Sequence, residues 1–453
     1  MPGAPTQLMM IGGQDQILTD NPNMTFFEAV HRPYVNFAIE SMNNAFSANA
    51  DFNRTGSVLL QRNGDLITRC VLEVTLPQVT VSSAAAPSTT TSQVGFSWAE
   101  FLGQSMINYY TFRIGPNDVN REYGMCANVW CMLNLSRSQF EAHLKLIGQA
   151  LPSYNVSTGA DNSVLAPNTS FGMVWYISGL QTYSELRAQS KIYVPLKTFF
   201  YDAAVALPSV ALPFAEARLD ITFRQYTDLY FLKGSNAVSA SASSYLNKSI
   251  VDAQLWVDTV FVDNFERNRI ASEAHELLIR QNATNNDQTV SANTTSLTTN
   301  MNFNHPVTAV LWFVQLDSTV SSDTTSGVRA YATFTNATGG NPTSAARISF
   351  SGGDRYASRD GVVHSTLAQY QNCSSAASTT DSYLGSEGLN MYSFSLFLED
   401  WQPAGSMNFS RVDNAQLIQT LTGVTSAAKI YIWAQNLNTL RVGNGTAGLG
   451  YSA

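Results

Sequence analysis

Apolar and polar side chains alternate with a period of two in several segments of this chain. In 69–76, Cys70, Leu72, Val74 and Leu76 fall on one face, and Arg69, Glu73 and Thr75 on the other. In 218–224, Leu219, Ile221 and Phe223 oppose Arg218, Asp220, Thr222 and Arg224. In 392–398, Tyr392, Phe394, Leu396 and Leu398 oppose Ser393, Ser395 and Phe397. Successive side chains of a pleated strand point to opposite faces, so each pattern predicts a strand with one face on a core. Segments 255–262, 307–314 and 429–434 are apolar on both faces, which places them centrally in a sheet or at an interface.

Helical periodicity is scarce. Its best case is 138–148, where Phe140, Leu144 and Ile147 recur at i, i+4 and i+7. There Ser138 and Glu141 have capping-box spacing, and Gly148 supplies a stop. Weaker helical readings cover 96–110 and a short turn from Asp413, with Gln416 as its box partner. Stretches at 80–94, 234–244, 282–299 and 318–327 are too polar to make a core. They read either as flexible linkers or as loops projecting from a rigid sandwich, and 234–244, near mid-chain, is the most linker-like.

Each half of the chain closes on a similar series. The first runs through 192–200, a Pro-containing connection at 207–214, a strand at 218–224 and an apolar strand at 255–262. The second runs through 392–398, 401–406, 407–421 and 429–434. The pattern hints at a duplicated β-sandwich, with 255–262 either closing the first or opening the second. Residues 1–25 have no period and are punctuated by Pro2, Pro5, Gly12, Gly13 and Pro22, as in an extended arm. The expected division is an arm over 1–25, a first sandwich over 26–228, a linker over 229–249 and a second sandwich over 250–453.

Composition narrows the function. The 453 residues are 44% hydrophobic but only 13% charged, well under the ~25% typical of globular proteins. A polar, weakly charged surface suits a protein that packs against copies of itself. Lys+Arg number 25 against 33 Asp+Glu, a net charge of −8, which argues against direct nucleic-acid binding. No run approaches ~18 consecutive apolar residues, so no membrane-spanning helix is expected. The first residues lack the basic and apolar regions of a signal peptide. Cys70, Cys126, Cys131 and Cys373 have neither zinc-ligand nor redox spacing and read as free thiols from a reducing compartment. Without an export signal, the Asn-x-Ser/Thr sequons, Asn53, Asn282 and Asn336 among them, are not expected to be glycosylated.

Motifs with chemical promise fail on context. Gly443-Asn-Gly445-Thr-Ala-Gly448 has GxGxxG spacing, but a dinucleotide site needs a helix after it, and the chain ends five residues later. A tight turn explains these glycines. His275-Glu276 starts an HExxH, but position 279 is Ile. His31, His143, His275, His305 and His364 show no metal spacing, and Gly352-Gly353-Asp354-Arg355 reads as a turn. The acid pairs Glu399-Asp400 and Asp263 with Glu266, together with the aromatic content, motivate an alternative: a carbohydrate-binding or glycan-cleaving β-sandwich protein. No catalytic residue, cofactor or metal is expected.

A series of segments goes further. Gln14-Asp15-Gln16-Ile17-Leu18-Thr19 leads to Asn21-Pro22, Thr25-Phe26-Phe27 and Asn36-Phe37-Ala38. Arg62-Asn63-Gly64-Asp65-Leu66-Ile67 follows, then Ile192-Tyr193-Val194-Pro195-Leu196, Asp263 and Glu266-Arg267. His275-Glu276, Asn302-Phe303-Asn304-His305-Pro306-Val307 and Gly353-Asp354-Arg355 come next. Asn408-Phe409-Ser410-Arg411-Val412-Asp413-Asn414, Leu440-Arg441-Val442 and Ala447-Gly448-Leu449-Gly450-Tyr451-Ser452 complete it. In that order and at that spread, the chain resembles the major capsid proteins of nucleocytoplasmic large DNA viruses, of the phycodnavirus and iridovirus type. Tyr34-Val35 and Asn444-Gly445-Thr446 depart locally from the commonest forms. The resemblance implies an all-β fold with minor helices, built as two tandem eight-stranded jelly-roll β-sandwiches, a double jelly roll. It also implies a homotrimeric capsomer that meets neighbouring capsomers and minor capsid proteins. The shell would overlie an internal membrane without spanning it, and would be made and assembled in the host cytoplasm. Loops 80–94 and 282–299 would project outward, and the arm would lie at the inner base. Arg62 to Asp65 is read as a turn entering a strand, and Arg411, Asp413 and Asn414 as loop bridges made by hydrogen bonds and charge pairs.

Overall fold

The computed structural model describes residues 3–451 apart from 24, 30, 82–92, 149–173, 178–183, 188, 235–247, 286, 321–330, 332, 374–387 and 399. Residues 1–37 form one unit and 38–453 a second. The first holds two short helices, α1 (Gly3–Met9) and α2 (Gln16–Thr19), so the expected arm is not wholly extended.

The second unit is strand-rich. Its first half runs β1 (Phe37–Ala45), β2 (Thr55–Leu59), β3 (Leu66–Leu76), β4 (Val79–Val81) and β5 (Gln93–Trp98). A four-residue helix α3 (Leu102–Ser105) precedes β6 (Ile107–Ile114) and β7 (Asn117–Tyr123). Helices α4 (Gly124–Asn134) and α5 (Arg137–Leu146) follow, then β8 (Val174–Ile177), β9 (Ser184–Arg187) and β10 (Ser190–Leu196). β11 (Ala217–Phe223), β12 (Tyr230–Gly234), β13 (Asp252–Val262) and helix α6 (Asn264–Ser272) complete it. The second half runs β14 (His275–Thr284), β15 (Gln288–Val290), β16 (Ser296–Asn300), β17 (Pro306–Leu316) and β18 (Thr343–Phe350). β19 (Gly353–Asp354), β20 (Arg359–Asp360), β21 (Asn390–Ser393) and β22 (Met407–Asn408) are short. β23 (Ala415–Leu421), β24 (Ala428–Gly443) and β25 (Thr446–Leu449) close the chain.

Strand order makes each half a jelly roll. In the first, one sheet runs β1-β13-β3-β10 and the facing sheet β2-β11-β6-β7. In the second, one sheet runs β14-β24-β17-β21 and the other β16-β23-β18-β19. There β15 extends the β14 edge on β24, β22 the β21 edge on β17, and β20 the β19 edge on β18. With each such pair counted as one strand, the connectivity of the two rolls is identical. The first strand lies beside the eighth, the eighth beside the third and the third beside the sixth; the second lies beside the seventh, the seventh beside the fourth and the fourth beside the fifth. The similar closing series in the two halves are the sixth, seventh and eighth strands of each roll.

This order resolves the place of 255–262. Leu255 and Val257 of β13 pair with Leu72 and Cys70 of β3, so the strand closes the first roll, although the expected boundary put it in the second. Within the expected linker 229–249, Tyr230–Gly234 pairs with β5 in a small three-stranded sheet, and 235–247 lie outside the described residues. An apolar strand cannot tell its own sheet from the next by pattern; the ladder decides.

The alternating segments behave unequally. Cys70, Leu72, Val74 and Leu76 are buried on β3, and Leu219, Ile221 and Phe223 on β11, as expected. The predicted strand 392–398 stops at Ser393. Ser393 Oγ donates to the Ser395 carbonyl and accepts from the Ser395 amide, and Ser395 Oγ donates to the Phe397 carbonyl. Serine side chains here capture backbone groups that a ladder would need, and Leu396 and Phe397 are left exposed. The loop expected at 282–299 holds β15, β16 and the end of β14, because polar residues there pair with β23 and β24. The helix expected over 96–110 is β5, the short α3 and the start of β6; the turn expected from Asp413 leads directly into β23. The helix expected over 138–148 is present as α5, but its capping box is Ser136 with Gln139. The loop predicted over 80–94 begins in β4 and ends in β5; most of it, and 321–327 of the loop predicted over 318–327, lie outside the described residues.

Helix α4 was not legible as a helix, because it is buried almost all round and shows no apolar stripe. Its burial explains β17. Val310, Trp312 and Val314 point into the second roll with Ile430 and Ile432. Ala309, Leu311 and Phe313 point the other way, into a cluster with Val129, Trp130 and Leu133 of α4. The first roll's own core likewise takes in Ile279, Leu440 and Val442 from the second. The two rolls therefore share packed cores.

The chain's last hairpin explains the GxGxxG glycines. Gly443 pairs with Thr446 across a two-residue turn in which Asn444 (φ 53°) and Gly445 (φ 78°) both have positive φ. That is the primed turn that Asn-Gly favours. A Cβ on Gly445 would also lie 2.3 Å from the Phe214 ring. Gly445→Ala is expected to lose about 1–2 kcal/mol, read as a shift in the denaturant midpoint. An unchanged midpoint would contradict this reading of the turn.

Candidate functional site

Several side chains of the chemically suggestive motifs hold local structure. Asp263 caps α6, accepting from the Asn264 amide at 2.8 Å, and Glu266 pairs with Arg269 at 2.8 Å. His275 Nε2 contacts the Ile270 carbonyl at 2.7 Å, and His364 lies buried beside Trp312. Gly352 sits with Ser351 in a two-residue turn at positive φ between β18 and β19, and Asp354 pairs with Arg347 at 3.0 Å. Glu399 lies outside the described residues, and the Asp400 carbonyl accepts from Arg280. Among the described residues no three His, Cys, Asp or Glu side chains are grouped to hold a metal. Burial pushes the thiols of Cys70, Cys126 and Cys131 up, away from the thiolate.

The turn entering β3 is a clamp. Asp65, 4% exposed, accepts from the Val262 amide at 2.9 Å and pairs with Arg267 at 3.1 Å. Arg62 donates to the Leu212 carbonyl at 2.6 Å. The segment thus fastens the start of β3 to the end of β13 and to α6. Near the second roll's edge, Asn408 Oδ1 accepts from the Ser410 amide at 3.0 Å, and Ser410 Oγ accepts from the His305 amide at 2.9 Å. The Asn414 carbonyl accepts from the Ser351 amide at 2.7 Å. The loop bridge is therefore backbone and hydroxyl; Arg411 and Asp413 form no ion pair among the described residues, contrary to expectation.

Polar contacts also cross the seam between the rolls. Asn282 Nδ2 on β14 donates to both carboxylate oxygens of Glu122 on β7, at 3.0 and 2.8 Å. Gln281 donates to the Val119 carbonyl, and the Phe214 amide to the Gly445 carbonyl at 3.1 Å. Burial pushes the Glu122 carboxyl up to about 7, against the opposing pull of Asn282, Lys197 and Asn120. Beside it opens a cavity of about 540 Å³, lined by Trp130, His143, Lys197 and Phe199 of the first roll and by Arg280 and Trp401 of the second. Burial holds His143 down at about 4. The sequence pattern gives no sign of Glu122, His143, Lys197 and Arg280 as a group: Glu122 and Asn282, which join β7 to β14 beside the cavity, stand 160 residues apart, and such a separation leaves no local signal.

Exposed apolar side chains mark surface that the isolated chain leaves uncovered. In the first unit Leu8, Met9, Ile17, Leu18, Phe26 and Phe27 are exposed, Phe27 fully. In the second, Phe214, Phe265, Tyr370, Leu396 and Phe397 are more than half exposed. Large exposed apolar groups in a weakly charged surface favour protein–protein contact.

Comparison with known proteins agrees with this picture. Residues 25–263 match the family described as major capsid protein N-terminus, and residues 266–448 match the large eukaryotic DNA virus major capsid protein family. The major capsid protein of Phaeocystis pouchetii virus is 27% identical, with all of both chains covered. That of Paramecium bursaria Chlorella virus 1 is 28% identical, again over all of both chains. Among solved structures, PBCV-1 VP54 superposes with a TM-score of 0.71 at 23% identity, covering 95% of this chain and 100% of that one. The Faustovirus major capsid protein gives 0.68 at 14% identity, covering 95% and 94%.

Proposed function

Because the chain belongs to the major capsid protein family of large eukaryotic DNA viruses, we propose that three copies close into a capsomer that tiles an icosahedral shell. The observation that carries this reading is the repeated roll. Two rolls of identical connectivity share packed cores within one compact unit. Three such bodies around a closed threefold axis present six similar rolls, a pseudo-hexagonal block. Hexagonal blocks tile a surface.

In this reading the first roll ends at Val262 and the second begins at His275, with α6 as the joint. The exposed apolar residues of the first unit contact neighbouring capsomers or minor capsid proteins. The shell overlies an internal membrane without spanning it, makes no direct contact with nucleic acid, and is assembled in the host cytoplasm. The role is structural and not catalytic. Electron microscopy of the purified protein tests the proposal: pseudo-hexagonal blocks are the expected image, and single two-lobed particles at every concentration would overturn it.

A further inference from the structure

We propose that the cavity between the rolls is a binding site for a small organic anion with an aromatic or apolar body. Its volume, about 540 Å³, falls in the range of small-molecule pockets. Two largely buried polar residues line it, Thr198 and His143, 4% and 5% exposed.

The charges in the cavity select the sign. Lys197 and Arg280 both line it, and neither forms an ion pair among the described residues. The Lys197 ammonium rests 4.6 Å from the centroid of the Trp130 ring. Burial lowers the Arg280 pKa, so its charge is under-solvated there, with Asp202 and Asp400 pulling the other way. Of the acids on the wall, Glu122 is engaged by Asn282, and Asp202 is exposed to solvent. An anion would therefore meet two cations without an ion pair among the described residues, Arg280 held by the Asp400 carbonyl and Lys197 by the Trp130 ring. Trp130, Phe199 and Trp401 supply aromatic surface for the body of the molecule.

Isothermal titration of the full chain with 2-naphthoate tests this, with 2-naphthylmethylammonium as a probe of the same shape and opposite charge. One naphthoate site per chain is expected, with the ammonium at least about ten-fold weaker. Ala142 lines the cavity, and Ala142→Trp should abolish naphthoate binding by filling it. Lys197→Met should weaken binding about ten-fold or more, while Lys197→Arg should retain it. No binding of naphthoate, equal binding of both probes, or naphthoate binding unchanged in Ala142→Trp and Lys197→Met would each overturn the proposal. The oligomeric mass is read separately, so failure here leaves the capsomer reading standing.

Discussion

Phe313→Ala is expected to cost about 3–5 kcal/mol, the range for truncating a large buried aromatic side chain. Phe313 is fully buried on the face of β17 that looks away from the second roll's interior. Its ring lies 4.1 Å from that of Phe334, 5.1 Å from Tyr431 in a stacked arrangement and 5.0 Å from Trp433 edge-on. The same cluster contains α4, which follows the first roll's β7. The truncation thus opens a cavity where the two halves meet. Phe397→Ala, at a residue 61% exposed, should change the stability of the isolated chain by no more than about 0.5 kcal/mol. Denaturant titration of both variants separates the cases. A loss below about 1 kcal/mol for Phe313→Ala would mean that the cluster does not hold the halves together.

The second large effect is on pH dependence. Glu122 has its carboxyl raised from 4.5 to about 7 in the folded chain. For a raised pKa the stabilising contribution is full below the unfolded value and is lost as pH rises through the folded one. The gap corresponds to about 3 kcal/mol between pH 4.5 and 7. His143 is lowered from 6.5 to about 4, so its contribution is full above pH 6.5 and is lost as pH falls through 4. Between about pH 4.5 and 6.5 folding takes up a proton at Glu122 and releases one at His143, and the two slopes oppose each other. Relative to the parent chain, Glu122→Gln should therefore gain about 3 kcal/mol as pH rises from 5 to 8. A difference between the two that stays flat across that range would show that Glu122 is not held as a buried acid.

Much of the fold was legible, and the failures have physical causes. Alternation located β3 and β11 because each puts one face on a core and the other toward polar surroundings. It failed at 392–398 because Ser393 and Ser395 hydrogen-bond locally to the backbone, which a two-residue period does not register. It failed at α4 because a helix covered on nearly every side has no stripe. The apolar character of 307–314 was read as central or interfacial, and β17 is both. The seam cavity was not legible at all: Glu122, Lys197 and Arg280 sit on separate elements, and only the docking of one roll on the other brings them together. The ordered series of short motifs reached the family where no single motif was specific.

Light scattering on the purified chain tests the central claim most directly. The capsomer reading predicts a particle of about three times the 49.4 kDa chain mass, stable on dilution. A particle that remains at 49.4 kDa under all conditions would contradict it.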